Sequence, residues 1–131
     1  MTLTATVELE LIKRALYTDP YDQSLWFYHG YLMCTFDPRL AQETMAPNLT
    51  NDGRLTYVIK ELETMQDLLE GAEDCKWIYQ ALLQYTTLEY TLKGESLTAA
   101  KKNLAEWLRE LRKLDPLRKG RWDDLSRTLD V

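Results

Sequence analysis

The chain has few of the residues that build metal centres, redox sites and acid–base catalysts. Among its 131 residues there is one histidine, His29, and there are two cysteines, Cys34 and Cys75. Two distant cysteines have neither the number nor the spacing of a disulfide framework or a zinc site. We therefore interpret both as small buried hydrophobic residues. No Ser, Cys, Asp or Glu lies at a helical spacing that would make a site with His29, which favours a structural or interface histidine over a catalytic one.

Long apolar runs and an excess of positive charge are missing as well. No apolar run approaches the roughly 20 residues needed to span a bilayer, and no basic segment followed by an apolar one opens the sequence. The net charge of −5 argues against a general nucleic-acid binder or a protein that binds anionic membranes. We therefore expect a cytoplasmic protein with no nucleic-acid or membrane partner.

Glycine and proline are also scarce, as are segments in which apolar and polar residues alternate. Five glycines and four prolines accompany 45% hydrophobic residues, which indicates an ordered globular chain. No segment alternates apolar and polar residues with the period of a β-strand. Apolar residues instead recur at helical spacing over most of the chain. The sequence therefore predicts an all-α protein.

Residues 18–32 predict the elbow of a helical hairpin. Pro20 has no backbone N–H and disfavours helical geometry in the residue before it, so a preceding helix should end at about residue 18. Asp22 or Ser24 can then cap a new helix. The elbow thus joins two antiparallel helices.

Tryptophans mark a repeat of this elbow, because Trp26, Trp77 and Trp122 each open the second helix of a predicted hairpin. An Asp-Pro pair precedes the first and the third by the same offset, and Gly71 and Ala72 replace that pair in the second. Such a recurrence indicates an array of helical hairpins. We interpret the three tryptophans as packing between hairpins and expect their indole N–H groups to bond to carbonyls of the preceding elbow.

The periodicity assigns residues 1–131 to a single helical-repeat domain with a long loop. Glu61, Glu63, Asp67 and Glu70 are interpreted as a solvated face rather than a cation site. The predicted hairpins span about 6–36, 54–92 and 97–129, around a loop at 37–53 in which residues 40–45 can form one helical turn. The predicted helices are 6–17, 23–35, 54–70 with Gly71 as its C-cap, 73–92 with Gly94 ending it, a fifth starting at Ser96 or Thr98, and 117–129. The predicted core contains Leu11, Ile12, Leu16, Trp26, Leu32, Leu55, Ile59, Leu62, Trp77, Ala81, Leu82, Leu104, Leu108, Leu111, Trp122 and Leu125.

Three segments resemble the repeats of protein prenyltransferase α subunits: Ser24–His29, Cys75–Trp77 and Leu114–Arg118. The Phe-Tyr-His after the first tryptophan and the Leu-Asp-Pro-x-Arg segment are more similar to the type II (Rab) geranylgeranyltransferase α subunit than to that of farnesyltransferase. The resemblance covers the C-terminal part of such a subunit, in the compact form found in fungi. Gly30 departs from the family, which usually has a long polar residue there.

This resemblance implies a right-handed stack of hairpins, an α-α superhelix, that forms part of a non-catalytic α subunit. It implies a β subunit as partner, and possible contact with the Rab escort protein that carries a Rab substrate. Zinc and geranylgeranyl diphosphate are expected on the β subunit, and no catalytic, cofactor or metal residue is carried over to this chain. The candidate interface and repeat-motif residues are Trp26, Tyr28, His29, Lys76, Trp77, Arg118 and Trp122.

A free-standing helical interaction module of the tetratricopeptide-like class is the alternative. The first helix discriminates between the two hypotheses. A segment of a longer array should expose an apolar face on this helix, whereas a self-sufficient module should cap it with polar residues. The first helix does carry one polar face, formed by Glu8, Glu10, Lys13 and Arg14.

Overall fold

The computed structural model describes residues 3–43 and 49–131, and within these ranges it contains helices and no strand, which confirms the all-α fold class. No helix in the described ranges is long and apolar enough to cross a bilayer. Four short 3-10 helices connect or precede the α-helices, at Cys34–Phe36, Pro38–Glu43, Leu97–Ala100 and Pro116–Arg118. The α-helices are α1 (Leu3–Thr18), α2 (Gln23–Met33), α3 (Asn51–Gly71), α4 (Lys76–Lys93), α5 (Lys101–Leu114) and α6 (Lys119–Leu129).

Helices adjacent in the chain pack as hairpins, α1 on α2, α3 on α4 and α5 on α6. α1 also contacts α3, α2 contacts α4, and α4 packs on α5, so that α4 is central. Its apolar residues divide between two cores, one shared with α1 to α3 and the other with α5 and α6. The chain is therefore a stack of interlocked helical hairpins.

Several helix bounds differ from the prediction for local reasons. α3 begins at Asn51 rather than at residue 54, because the Thr50 hydroxyl caps it by accepting the Gly53 N–H at 3.1 Å. The Asn-Asp-Gly segment at 51–53, which belongs to the predicted loop at 37–53, is thus the first turn of α3. α2 ends at Met33 and continues as a 3-10 turn, and α4 begins three residues later than predicted, at Lys76.

The two glycines predicted to end helices behave differently. Gly94 has φ +69° and ends α4 as predicted, in the left-handed conformation that glycine adopts most readily. Gly71, predicted as a C-cap, is instead the last residue of α3, and Ala72 caps the helix by donating its N–H to the Leu69 carbonyl at 3.1 Å.

The predicted core is correct for most positions and wrong for two. Leu11 is 55% exposed and Ile59 is 36% exposed. α1 turns the row containing Leu9, Ile12 and Leu16 inward, so the adjacent row containing Leu11 faces out. Three further predicted core residues are only half-buried, namely Leu55, Trp77 and Leu125. The confirmed core residues are Ile12, Leu16, Trp26, Leu32, Leu62, Ala81, Leu82, Leu104, Leu108, Leu111 and Trp122.

The segment after α2, predicted as a loop, contains the 3-10 helix Pro38–Glu43. Residues 44–48, which include part of the predicted turn at 40–45, lie outside the described residues. Arg39 binds Asp37 through two contacts, at 3.0 Å and 2.8 Å. This guanidinium holds the pKa of the Asp37 carboxyl below its usual value.

Candidate functional site

Two tryptophans close the elbows in which they stand. Trp26 Nε1 donates to the Pro20 carbonyl at 2.7 Å, and Trp122 Nε1 donates to the Asp115 carbonyl at 3.1 Å. Both rings are buried, so each bond satisfies an indole N–H that water cannot reach. The predicted bonding of the indole N–H groups to elbow carbonyls is therefore confirmed at these two positions.

The second elbow is attached to the first through a cysteine. Cys75 Sγ donates to the Pro20 carbonyl at 3.1 Å, the same oxygen that receives the Trp26 indole. Cys75 is 1% exposed, as predicted, and burial raises the pKa of its thiol, which keeps it a neutral donor. Trp77 is placed differently from the other two tryptophans: its half-buried ring meets the ring of Phe27 edge-on at 6.2 Å and lies 4.9 Å from Lys76 Nζ.

A single carboxylate attaches the third elbow to the second hairpin. Asp115 is 7% exposed and lies 3.8 Å from Lys76 Nζ and 3.6 Å from Arg118 Nε. Lys76 belongs to α4, whereas Arg118 follows the third elbow. The three elbows are thus joined in series by polar contacts, which fixes the hairpins relative to one another.

The only histidine lies at the meeting point of three helices. His29 on α2 is 1% exposed, with Nε2 2.9 Å from Glu61 Oε1 on α3 and Nδ1 2.8 Å from the Tyr85 hydroxyl on α4. In the neutral imidazole, Nε2–H donates to the carboxylate and the Tyr85 O–H donates to Nδ1, so every proton has an acceptor. Burial and the negative charge of Glu61 raise the pKa of Tyr85.

Sequence reasoning missed this network and misplaced one of its members. Glu61, assigned to a solvated face, is 4% exposed. Glu61 is 32 residues from His29 in the sequence, and Tyr85 is 56 residues from it. These contacts therefore could not be inferred from residue spacing within one helix. One signal was available, because Glu61 is the acidic residue that falls between Val58 and Leu62 in the apolar row of α3.

The assignment of Cys34 to the core is also wrong. Cys34 is exposed at the end of α2, and its Sγ donates to the Gly30 carbonyl at 3.5 Å. The backbone is still helical at Cys34, which follows Gly30 by one turn, and both residues line a surface groove rather than the core.

This groove runs along α4, between α2 and α6, and we call it the α4 groove. Its apolar section, about 400 Å³, is lined by residues such as Met33, Leu88 and Leu125. The section near the elbows, about 560 Å³, we call the arginine pocket; it is lined by Trp26, Phe27, Gly30, Trp77, Gln80, Ala81, Gln84, Tyr85, Arg118 and Arg121. Gly30, Gln84 and Tyr85 line both sections.

A second surface lies on the first hairpin, which exposes Val7 and Leu11 of α1 and Tyr28 and Tyr31 of α2. We call these four residues the outer face. The Tyr28 hydroxyl donates to Glu8 Oε2 at 2.5 Å, which raises the pKa of Tyr28, and its ring stacks on Tyr31 with 6.3 Å between centroids. An apolar and aromatic surface of this kind suits packing against another protein element.

The candidate residues therefore do not converge on one reaction centre. The structure divides them among the elbows, the buried network and these two surfaces. In the described ranges, no three His, Cys, Asp or Glu side chains are grouped so as to hold a metal ion.

Comparison with known proteins finds relatives that share one name. No family model matches the sequence. The chain is 32% identical over 126 residues to the geranylgeranyl transferase type-2 subunit alpha of Schizosaccharomyces pombe, covering 94% of this chain and 36% of that protein. The Dictyostelium discoideum protein of the same name is 34% identical over 120 residues, covering 91% of this chain and 33% of that protein. The human protein of that name is 56% identical over 32 residues, 24% of this chain and 6% of that protein.

The chain spans about a third of the length of the first two relatives. Each of these two relatives matches more than nine-tenths of the chain. The resemblance seen in the sequence is therefore confirmed: over nearly its whole length, the chain is homologous to part of the α subunit of type-2 geranylgeranyl transferases.

Proposed function

We propose that this chain is a segment of the non-catalytic α subunit of a type-2 geranylgeranyl transferase. In this role it is a helical scaffold that supports the transfer of geranylgeranyl groups to C-terminal cysteines of Rab proteins by the β subunit. The observation that carries the proposal is the outer face. Its residues are 46% (Val7), 55% (Leu11), 41% (Tyr28) and 66% (Tyr31) exposed.

Helical hairpins in an array bury their faces against their neighbours, and terminal hairpins that are exposed to water have polar outer surfaces. The outer face has two aliphatic and two aromatic side chains instead. Two carboxylates of α1 lie on this hairpin as well: Glu8 accepts the Tyr28 O–H, and Glu10 lies 3.9 Å from Lys60 Nζ. The first hairpin is therefore suited to packing against a further hairpin of an assembled subunit, which favours a segment over a free-standing module.

The series of elbow contacts supports a positional role. Pro20 and Asp115 each accept bonds that fix one hairpin against another or close an elbow. A scaffold made in this way holds the partners that bind it at fixed distances, which is how a subunit without catalytic residues contributes to a reaction. We propose the β subunit as the main partner, with zinc and geranylgeranyl diphosphate on that subunit, and the Rab escort protein as a further partner.

Co-purification tests this proposal. The chain is produced together with the β subunit of a type-2 geranylgeranyl transferase, with and without the remaining two-thirds of an α subunit, and the complexes are isolated through a tag on β. We expect the chain to be retained, and retained best when the remainder of the α subunit is present. A chain that is folded and monomeric, yet is never retained, would favour the free-standing module.

A pair of matched variants locates the contact. Leu11→Glu places a charge on the outer face, whereas Leu117→Glu places the same charge on a leucine that is 98% exposed at the third elbow. We expect Leu11→Glu to reduce retention with the remainder of the α subunit and Leu117→Glu to leave it unchanged. Equal effects of the two variants would contradict a role for the outer face.

A further inference from the structure

We propose that the arginine pocket binds a peptide segment of a partner protein that has a carboxylate side chain beside an aromatic one. This inference goes beyond the scaffold role, because it depends on the pocket alone and requires neither the β subunit nor prenyl transfer.

The pocket has the dimensions and walls of a binding site. It encloses about 560 Å³, within the usual range for ligand pockets. One wall is aromatic: Phe27 is 65% exposed, and it meets the ring of Trp77 edge-on at 6.2 Å. A large exposed phenyl ring beside an indole offers a surface on which another aromatic side chain can pack.

The charge of the pocket is opposite to that of the chain. The chain has a net charge of −5. The charged residues among the described residues that line the pocket are both positive, Arg118 and Arg121. Arg118 shares the Asp115 carboxylate with Lys76. The Arg121 guanidinium lies 5.4 Å from the Trp122 ring, and in the described part of the chain no carboxylate is close enough to pair with it.

One uncommitted guanidinium matches a single negative charge. An arginine guanidinium donates two parallel hydrogen bonds to a carboxylate. A phosphate dianion would need a second cation that faces no carboxylate, and Arg118 already faces Asp115, which it shares with Lys76. The pocket therefore favours a carboxylate over a phosphate group.

The part of the pocket formed by α4 beyond Trp77 is suited to a peptide backbone. Gln80 and Gln84 lie one turn apart on α4 and both line the pocket, so their amides can donate to and accept from main-chain groups. Gly30 leaves a notch beside Gln84, because a Cβ built on this glycine meets nothing within 4 Å. The notch joins the pocket to the apolar section of the α4 groove, which gives an extended segment room to continue.

Binding of capped peptides, followed by nuclear magnetic resonance of the whole chain, tests the proposal. The probes are a pentapeptide with adjacent phenylalanine and glutamate, the same peptide with glutamine in place of glutamate, and inorganic phosphate. We expect the glutamate peptide to shift the side-chain signals of Gln80, Gln84 and the Trp77 indole. We expect the glutamine peptide to bind about fivefold more weakly, since one charge-assisted bond is lost.

Three variants complete the test. Arg121→Gln should reduce the affinity for the glutamate peptide to that measured for the glutamine peptide. Arg109→Gln, at an exposed arginine of α5 outside the pocket, should leave the affinity for the glutamate peptide unchanged. Gly30→Leu, whose Cβ meets nothing within 4 Å, should place an apolar side chain in the notch and weaken the binding of both peptides. Equal affinity for the two peptides, phosphate binding as tight as that of the glutamate peptide, or shifts that map outside the pocket would each overturn the proposal.

Discussion

His29 and Glu61 face each other inside the protein, with 2.9 Å between Nε2 and Oε1, although they come from different helices. The contact places a carboxylate in a core where it is 4% exposed. A buried carboxylate destabilises a protein unless hydrogen-bond donors surround it, and the donor next to Glu61 Oε1 is His29. Because His29 also bonds to Tyr85, a single side chain joins α2, α3 and α4.

His29→Leu should therefore destabilise the protein by about 2–4 kcal/mol, because it leaves a buried carboxylate and a buried hydroxyl without their partner. Urea unfolding followed by circular dichroism measures the change in the free energy of unfolding. The double variant His29→Leu with Glu61→Leu should be less unstable than the sum of the two single variants, since the orphaned charge is removed with its partner. The control is Glu63→Leu, at an exposed position of α3, the helix that carries Glu61. A loss for His29→Leu below about 0.5 kcal/mol would contradict the network.

The elbow tryptophans give a second prediction. Trp122→Phe keeps an aromatic ring but removes the N–H that donates to the Asp115 carbonyl. It should cost about 0.5–1.5 kcal/mol, because one buried hydrogen bond is lost while the carbonyl keeps the Arg118 N–H as a donor. Trp26→Phe should have a similar effect through the Pro20 carbonyl, which keeps the Cys75 thiol as a donor. The comparison is Trp107→Phe, at a half-buried tryptophan that closes no elbow. Equal losses of stability for the three variants in urea unfolding would contradict a role for the indole N–H groups in closing the elbows.

Alkaline pH should loosen the contact between α1 and α3. The Tyr17 hydroxyl donates to the Asp67 carboxylate, and this bond raises the pKa of Tyr17 to about 12. A phenol with a raised pKa stabilises the fold fully below pH 10, and this contribution is lost as the pH rises towards 12. The free energy of unfolding should therefore fall across this window.

Tyr17→Phe should make that fall smaller, and Asp67→Asn should have the same effect. Urea titrations at several pH values between 9 and 12 measure both. The two changes should not add in the double variant, because both act on one hydrogen bond. If the double variant shows twice the effect of either single variant, the two residues act independently and the bond is not the cause.

The two cysteines should differ in reactivity. Cys34 is exposed, whereas Cys75 is 1% exposed and burial raises the pKa of its thiol. An alkylating reagent should modify Cys34 in the folded chain faster than Cys75, by roughly a hundredfold or more. Mass spectrometry of digested samples measures the two rates, and the difference should vanish in urea. Comparable rates in the folded state would show that Cys75 does not hold the first two elbows together.

The sequence was informative wherever one helix or one elbow determined the outcome. Asp22 caps α2, with its side chain accepting the N–H groups of Ser24 and Leu25, and the indole N–H groups of Trp26 and Trp122 bond to their own elbows. These contacts span seven residues or fewer, so they follow from local spacing. The hairpin architecture follows from the same features.

Contacts between hairpins could not be predicted from that spacing. Leu11 and Leu9 lie on adjacent rows of α1, and the positions of α2 and α3 decide which row is buried. Glu61 looks like part of a solvated acidic face until α2 brings His29 next to it. The Cys75 bond to Pro20 and the arginine pocket likewise depend on how separate hairpins are placed. The candidate surfaces are therefore tertiary features, which residue spacing within one helix does not reveal.

We propose that this chain performs the structural role of the matching third of an α subunit. The most direct test is a chimera in which it replaces the homologous segment of the Schizosaccharomyces pombe relative, joined to the rest of that subunit and combined with the β subunit. Transfer of geranylgeranyl groups to an escorted Rab protein is then measured. We predict transfer within about tenfold of the unaltered enzyme, and a clear loss with Leu11→Glu. A chimera that folds and binds the β subunit, yet transfers no lipid, would contradict the claim.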